Sequence, residues 1–265
     1  MYSVFQLAKK YLQYYRSSSN SKGHGVHSPF VFDFIKFVKN DKRKYDCYVP
    51  IEKLRKALLQ DNTTIEVQDF GAGSTVIKTN KRIVSKMAAS SLKPKKFAQL
   101  LFRMVQQYKP KTIVELGTSF GITSAYLASG HPAAKLFTLE GSPSIANIAR
   151  GNFKALSLKN IELIEGDFAT TFEPLLQTLP FIDLAFVDGN HKKKPTLQYF
   201  EQLLAKSNED SILIFDDIHW SSEMEEAWEI IKQNGAVTLS IDLFFIGIVF
   251  FKKDFKVKQQ FSIRF

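Results

Sequence analysis

Two short runs, Val187-Asp188-Gly189-Asn190-His191 and Phe215-Asp216-Asp217-Ile218-His219-Trp220, each set a histidine within a turn of aspartate, directly after an apolar stretch. Three carboxylates, Asp188, Asp216 and Asp217, offer hard oxygen ligands of the kind Mg²⁺ or a similar ion takes. A cation held there would leave positions for substrate oxygens and make an acceptor hydroxyl easier to ionise. His191, three residues after Asp188, has the unperturbed pKa near neutrality that suits a general base. His219, two residues after Asp217, could share that role or orient a ligand. The plain alternative is that the aspartates satisfy backbone N–H groups at strand ends and the histidines cap loops or helices.

A second set of residues points to a nucleoside-like ligand. The loop Glu115-Leu116-Gly117-Thr118-Ser119-Phe120-Gly121 follows a β-rich run and enters a helix. Such a loop brings backbone N–H groups and a positive helix end to the strand's C-terminal edge. Its spacing, Glu-x-Gly-x-x-x-Gly, departs from the dinucleotide fingerprint, and its carboxylate suits a cationic amino-acid moiety better than a pyrophosphate. Glu140 lies roughly 20 residues further on, the interval at which an acidic side chain accepts bonds from both ribose hydroxyls. After the next strand, Glu165-Gly166-Asp167-Phe168 could set Asp167 beside an exocyclic adenine amine.

These stations need a scaffold that brings strand ends to one edge, and the hydrophobic pattern predicts one. Strand-like runs at 112–116, 135–139, 161–164, 183–187 and 211–215 alternate with helical runs at 97–108, 144–156, 172–179, 196–206 and 222–233. Such alternation predicts an α/β fold with a parallel sheet wound on both faces. The runs 237–242 and 246–252 lie only a few residues apart and predict an antiparallel hairpin. The 243–251 stretch is the longest strongly apolar run, far short of the ~20 residues a spanning helix needs, and reads as a buried strand.

Before residue 97 the pattern is mainly helical, with 51–60 carrying Ile51, Leu54, Leu58 and Leu59 on one face. The chain therefore divides by character into a basic, mainly helical cap or lid over 1–96 and an α/β domain over 97–265. A Gly/Ser-rich loop at 17–25 lies inside the first part; His24 and His27 could line an acceptor pocket there, although mobile histidines without a role are the plainer reading. The segment 69–74, Asp-Phe-Gly-Ala-Gly-Ser, reads as a turn.

On the residues quoted, the stretch 97–253 resembles the class I S-adenosylmethionine (SAM) dependent methyltransferases. The resemblance implies a Rossmann-like, doubly wound sheet of seven strands with the last one antiparallel. It implies that Glu115, Gly117, Thr118, Ser119 and Gly121 hold the methionine end, Glu140 the ribose and Asp167 the adenine, with Asp188 beside the methyl donor. The 188–191 and 216–217 runs resemble the metal-dependent O-methyltransferases of the catechol and macrolide-sugar type. There the strand-four aspartate and the strand-five acidic pair bind the metal, and a histidine placed like His191 occurs in the sugar-modifying group. Asp217 stands where the catechol type usually has Asn, and no lysine base occupies the strand-four loop. The implied reaction is O-methylation of a small or glycan-like hydroxyl acceptor, with SAM and a Mg²⁺-like ion as cofactors.

Charge sharpens the competing readings. Up to Pro110 there are 21 Lys and Arg against 7 Asp and Glu, and from Lys111 onward 15 against 19. A basic first part on a mildly acidic second suggests attraction to an anionic surface, be it nucleic acid, phospholipid or acidic substrate, with solubility alone as the plain alternative. Nucleic-acid amino-methyltransferases typically carry Asn/Asp-Pro-Pro-aromatic after strand four; here the run is Asp188-Gly189-Asn190-His191, which weighs against base N-methylation. A non-catalytic SAM-binding or nucleotide-sensing module is the other alternative. Lys192-Lys193-Lys194 reads as a solvated helix entrance. The single Cys47 is compatible with a reducing cytoplasm, and a homodimer is compatible with everything above.

Overall fold

The computed structural model describes residues 1–18, 28–67 and 80–265. His24, His27 and the 69–74 segment lie outside the described residues. Two compact units are present: Met1–Asn40 together with Leu179–Phe265, and Asp41–Thr178. In chain order the elements are α1 (Val4–Ser17), α2 (Pro29–Asp33) running into a π-helical turn (Phe34–Lys39), α3 (Tyr48–Leu58), β1 (Thr64–Glu66), β2 (Lys81–Ile83), α4 (Val84–Ser91) and α5 (Lys95–Tyr108). There follow β3 (Thr112–Leu116), α6 (Ile122–Gly130), β4 (Lys135–Glu140), α7 (Pro143–Ala155), β5 (Ile161–Glu165) and α8 (Phe168–Thr178). The remainder is β6 (Leu184–Val187), α9 (Lys193–Leu204), β7 (Ile212–Asp216), α10 (Ser222–Gln233), β8 (Leu239–Asp242), β9 (Ile246–Phe250) and β10 (Gln259–Ser262).

In the 41–178 unit β3, β4 and β5 run parallel, with Glu115 opposite Thr138 and Glu140 opposite Glu165. That register brings the three strand ends level, so the residues just past them share an edge. Helix α5 buries Phe97, Ala98, Leu101, Phe102 and Val105, and Lys109 closes it in a left-handed conformation before Pro110, which cannot continue a helix. Ile51 and Leu58 of α3 join Phe102, Ile122, Ala125 and Tyr126 in one apolar cluster. Glu52 ties α3 down: it accepts from the Tyr126 hydroxyl at 2.8 Å and pairs with Arg55 at 3.1 Å. Helices α3 and α4 thus close a core with the helices flanking β3. The β1–β2 hairpin was not foreseen; its strands are three residues each, too short for a period to register.

In the other unit β6 and β7 are parallel, β9 lies antiparallel to β7 and to β8, and β10 runs parallel to β8. The fold class is the expected Rossmann-like α/β arrangement of mostly parallel strands flanked by helices. The antiparallel strand is β9, the second arm of the predicted hairpin, as expected. One detail differs: an additional strand, β10, pairs with β8. Residues Gln259–Ser262 alternate half-buried and exposed, a short edge pattern next to a lysine-rich stretch that hides its β character. Helix α10 starts at Ser221, whose hydroxyl accepts from the Met224 N–H at 3.2 Å, with Glu223 and Glu225 in the first turn. Helix α1 opens with a reciprocal capping box between Ser3 and Gln6.

Candidate functional site

At the ends of β3, β4 and β5 the three acidic stations have different environments. Glu115 is fully buried. Its carboxylate accepts from the Ser124 hydroxyl of α6 and, at 2.7 Å, from the Thr138 hydroxyl of β4, and Thr138 is 2.6 Å from Thr118. Through Thr138 the side chain expected to meet a cationic ligand is linked to Thr118 of the loop. Thr138 and Ser124 were missed by sequence reasoning; a buried threonine among the apolar residues at the middle of β4, in register with Glu115, was the available signal.

The 117–121 loop also differs from expectation. Its N–H groups do not stand ready for a ligand. Gly117 and Thr118 both donate to the Leu139 carbonyl, at 3.1 and 3.0 Å, and Gly121 donates to Thr118. Ser119, left-handed at φ 49°, donates to Glu140 Oε2 at 2.9 Å. Gly121 is required where it stands: φ is +79°, and a Cβ would run into the Phe153 ring of α7.

Glu140 is half-buried and also accepts from the Ser142 N–H through Oε1 at 3.0 Å. Burial lifts its carboxyl above the usual range, against the opposing pull of the Ser142, Ser119 and Gly141 N–H groups. Asp167 sits at the entrance of α8, where Oδ1 accepts from the Ala169 N–H at 3.0 Å. The preceding Gly166 adopts φ +136° and donates its N–H to the Glu140 carbonyl.

In the other unit the turns after β6 and β7 bring together Asp188, His191 and Asp216, with one ligand atom of each lying within 4.8 Å of the others. His191 Nε2 is 3.6 Å from Asp188 Oδ1. Asp216 is buried, while Asp188 and His191 are partly open. Asp217 is outside this group, so the expected trio of aspartates is replaced by two aspartates and a histidine. Asp217 turns left-handed at φ 53°, its N–H held by the Phe245 carbonyl at 2.7 Å, and its carbonyl accepts from Trp220. The chain thereby leaves the direction of β7 one residue after Asp216. Lys193 of the basic run pairs with Glu226 of α10 at 2.8 Å, in keeping with a solvated helix entrance.

His219 is corrected as a candidate base. Nδ1 lies 3.0 Å from Glu225 Oε1 and Nε2 2.9 Å from Asp242 Oδ2. Burial disfavours its charge, yet the hydrogen bonds and charges of Asp242 and Glu225 outweigh it and raise the imidazole pKa. Each ring nitrogen faces a carboxylate, so neither stands open to an acceptor's proton. Glu225 also accepts from the Tyr2 hydroxyl at 2.7 Å and from Lys10 at 2.8 Å, and Asp242 from the Trp228 indole at 3.2 Å. The network clamps α1 to the β7–α10 turn and the end of β8. Its partners lie 23 or more residues apart from His219 or belong to a later helix, so no local motif announces them.

Residues 114–218, less than half of the chain, match the family model described as a methyltransferase domain. A curated relative, the release factor glutamine methyltransferase of Escherichia coli (strain K12), is 29% identical over 90 residues, 32% of each protein. The chain thus spans about a third of the length of the curated relatives it matches. An O-methyltransferase from Bacillus cereus, solved in complex with SAH, superposes with a TM-score of 0.56 at 19% identity, covering 81% of this chain and 95% of that one. An SAH-bound methyltransferase of Podospora anserina gives 0.59 at 16% identity, over 85% and 97%. At such identities the likeness is one of fold. Residues 114–218 thus match a methyltransferase domain, and the chain shares the fold of solved methyltransferases with SAH bound.

Proposed function

We propose that this protein transfers the methyl group of SAM to a hydroxyl oxygen of a small or glycan-like acceptor. The observation that carries the oxygen acceptor is the grouping of Asp188, His191 and Asp216 within 4.8 Å. Asp188 and Asp216 supply carboxylate oxygens of the kind a hard divalent cation takes, with the His191 imidazole beside them. Bound there, a cation such as Mg²⁺ would favour the ionised form of an acceptor hydroxyl. We assign the cation to Asp188 and Asp216 and the acceptor proton to His191 Nε2.

For the cofactor, SAM supplies an electrophilic methyl group. Glu140 spends one lone pair of each oxygen on Ser119 and Ser142. A carboxylate has about four acceptor sites, so capacity remains for a ribose hydroxyl beside the Ser119, Ser142 and Gly141 N–H groups. Asp167, with Oδ1 on the α8 entrance, would accept the adenine amine on Oδ2. Glu115 acts by position, holding Ser124 and Thr138 so that Gly117, Thr118, Ser119 and Gly121 keep their turn. Asp188 remains proposed as a cofactor contact as well. The basic 1–96 stretch would act as the cap over the 97–265 catalytic domain. We place the protein in the cytoplasm, with which its lone Cys47 agrees.

Calorimetric titration with S-adenosylhomocysteine, with and without Mg²⁺, tests the reading. Micromolar binding is expected in the wild type, and a loss of at least 100-fold in Glu140→Ala. Turnover on hydroxyl acceptors that is unchanged in both Asp188→Ala and Asp216→Ala would rule out metal assistance, and absence of cofactor binding would rule out the methyltransferase activity itself.

A further inference from the structure

Helix α1 has two faces of opposite fate. One is fastened to its own unit: the Tyr2 N–H donates to the Trp220 carbonyl at 3.0 Å, Lys10 pairs with Glu225, Tyr11 packs edge-on against Phe244 at 5.1 Å, and buried Tyr14 donates to the Asp242 carbonyl at 3.1 Å. The other face carries Phe5, Ala8, Leu12 and Tyr15, at spacings of three and four, and all are exposed. Phe5 is 80% and Leu12 56% accessible, and Val4 beside them 88%. A stripe of this kind on a helix already held by its opposite face is a surface awaiting an occupant.

We infer that α1 docks this protein onto an anionic lipid membrane. Charge selects the occupant. α1 contains no acidic residue and exposes Lys9 and Arg16 beside the stripe, while residues 1–40 hold six Lys and Arg against one Asp. Two copies meeting along this stripe would bring only positive charges together, with nothing on the helix to answer them. A nucleic acid would answer the charge but leave Phe5 and Leu12 in water. A bilayer with anionic headgroups takes both, the rings and leucine entering the acyl boundary and the cations resting among the headgroups. The neighbouring α2 and π-helical turn repeat the composition, exposing Phe32 and Phe37 with Lys36, whose ammonium lies 4.8 Å from the Phe37 ring.

Co-sedimentation of the full chain with vesicles tests this independently of methyl transfer. Binding to phosphatidylcholine vesicles containing 30% phosphatidylglycerol, a proportion about that used for anionic bilayers, should exceed binding to pure phosphatidylcholine and fall with added salt. Phe5→Ser with Leu12→Ser should weaken it at least ten-fold with an unchanged melting temperature, since both side chains already face water. Lys9→Gln and Arg16→Gln should each cost about five-fold on the anionic vesicles alone. The inference is overturned if the wild type stays in the supernatant at every lipid concentration, or if the double variant binds as the wild type does. It is equally overturned if the wild type runs as a dimer that the double variant dissolves, or if it binds a DNA or RNA duplex while ignoring lipid.

Discussion

The turns after β6 and β7 begin alike and end as different devices. Each leaves a buried strand with aspartate and reaches a histidine within three residues. At the first, His191 keeps partial solvent access and has Asp188 at 3.6 Å, beyond a good hydrogen bond. At the second, His219 has a carboxylate within about hydrogen-bond reach of each ring nitrogen, at 3.0 and 2.9 Å. An imidazole with both nitrogens committed to carboxylates is a cationic strut; one with a nitrogen to spare can move a proton or bind a metal. The number of fixed acceptors around the ring separates the two, and the spacing from aspartate does not.

The largest effect that would sharpen this comparison lies at His191. Replacement by Gln should lower turnover on a hydroxyl acceptor by about 10² to 10⁴, the range for loss of a general base, and should leave thermal stability within about 0.5 kcal/mol, as for a surface position. The affinity for Mg²⁺, read by calorimetry, should stay near that of the wild type. A Mg²⁺ affinity that collapses in His191→Gln would instead make the ring a metal ligand and move the base elsewhere.

At His219 the expected loss is in folding. His219→Gln leaves the Asp242 and Glu225 carboxylates without their shared cation, and breaking a buried pair in this way costs about 3 kcal/mol. The pH dependence follows from the raised pKa. His219's contribution is complete below its unfolded value, about 6.5, and is lost as pH rises through the higher folded value. Glu225 has the opposite sign: burial raises its pKa, but bonds from Lys10, Tyr2 and His219 bring it below the ordinary range, so its share is present at neutral pH and disappears as pH falls through the folded value. Urea midpoints should therefore differ most between wild type and His219→Gln near pH 6 and converge in alkali, an outline about set by those reference values. An equal gap at both ends would mean that the ring stabilises by its stacking on Phe244, 5.0 Å away, and not by charge.

How far the sequence is legible follows the same division. The β3 to β9 alternation and the hairpin arms are local patterns, found within about four residues of where periodicity places them. Asp217 could not be excluded in advance, because its left-handed turn depends on a bond to Phe245, 28 positions later in the chain. Glu115 was read by its distance from Gly117, whereas its partners come from a neighbouring strand and the following helix. Residue type and spacing thus announce where chemistry can occur; the partners that commit a side chain to structure come from afar.

The smallest effect probes the outer edge of the His219 network. Lys10 is a third exposed and reaches Glu225 from α1, a pair that solvent screens, worth at most about 1 kcal/mol. Lys10→Met keeps the aliphatic stem and removes only the charge, so it should cost less than that and should lower the His219 pKa little, since Asp242 and the Glu225 Oε1 contact persist. The Glu225 carboxyl should rise toward its ordinary value, because Lys10 is the strongest of the bonds lowering it. Carboxylate and imidazole titrations followed by NMR separate these responses. If Lys10→Met instead shifted the imidazole as strongly as it shifted Glu225, the four groups would titrate as one unit, and His219 would owe its charge to the N-terminal helix as much as to its own turn.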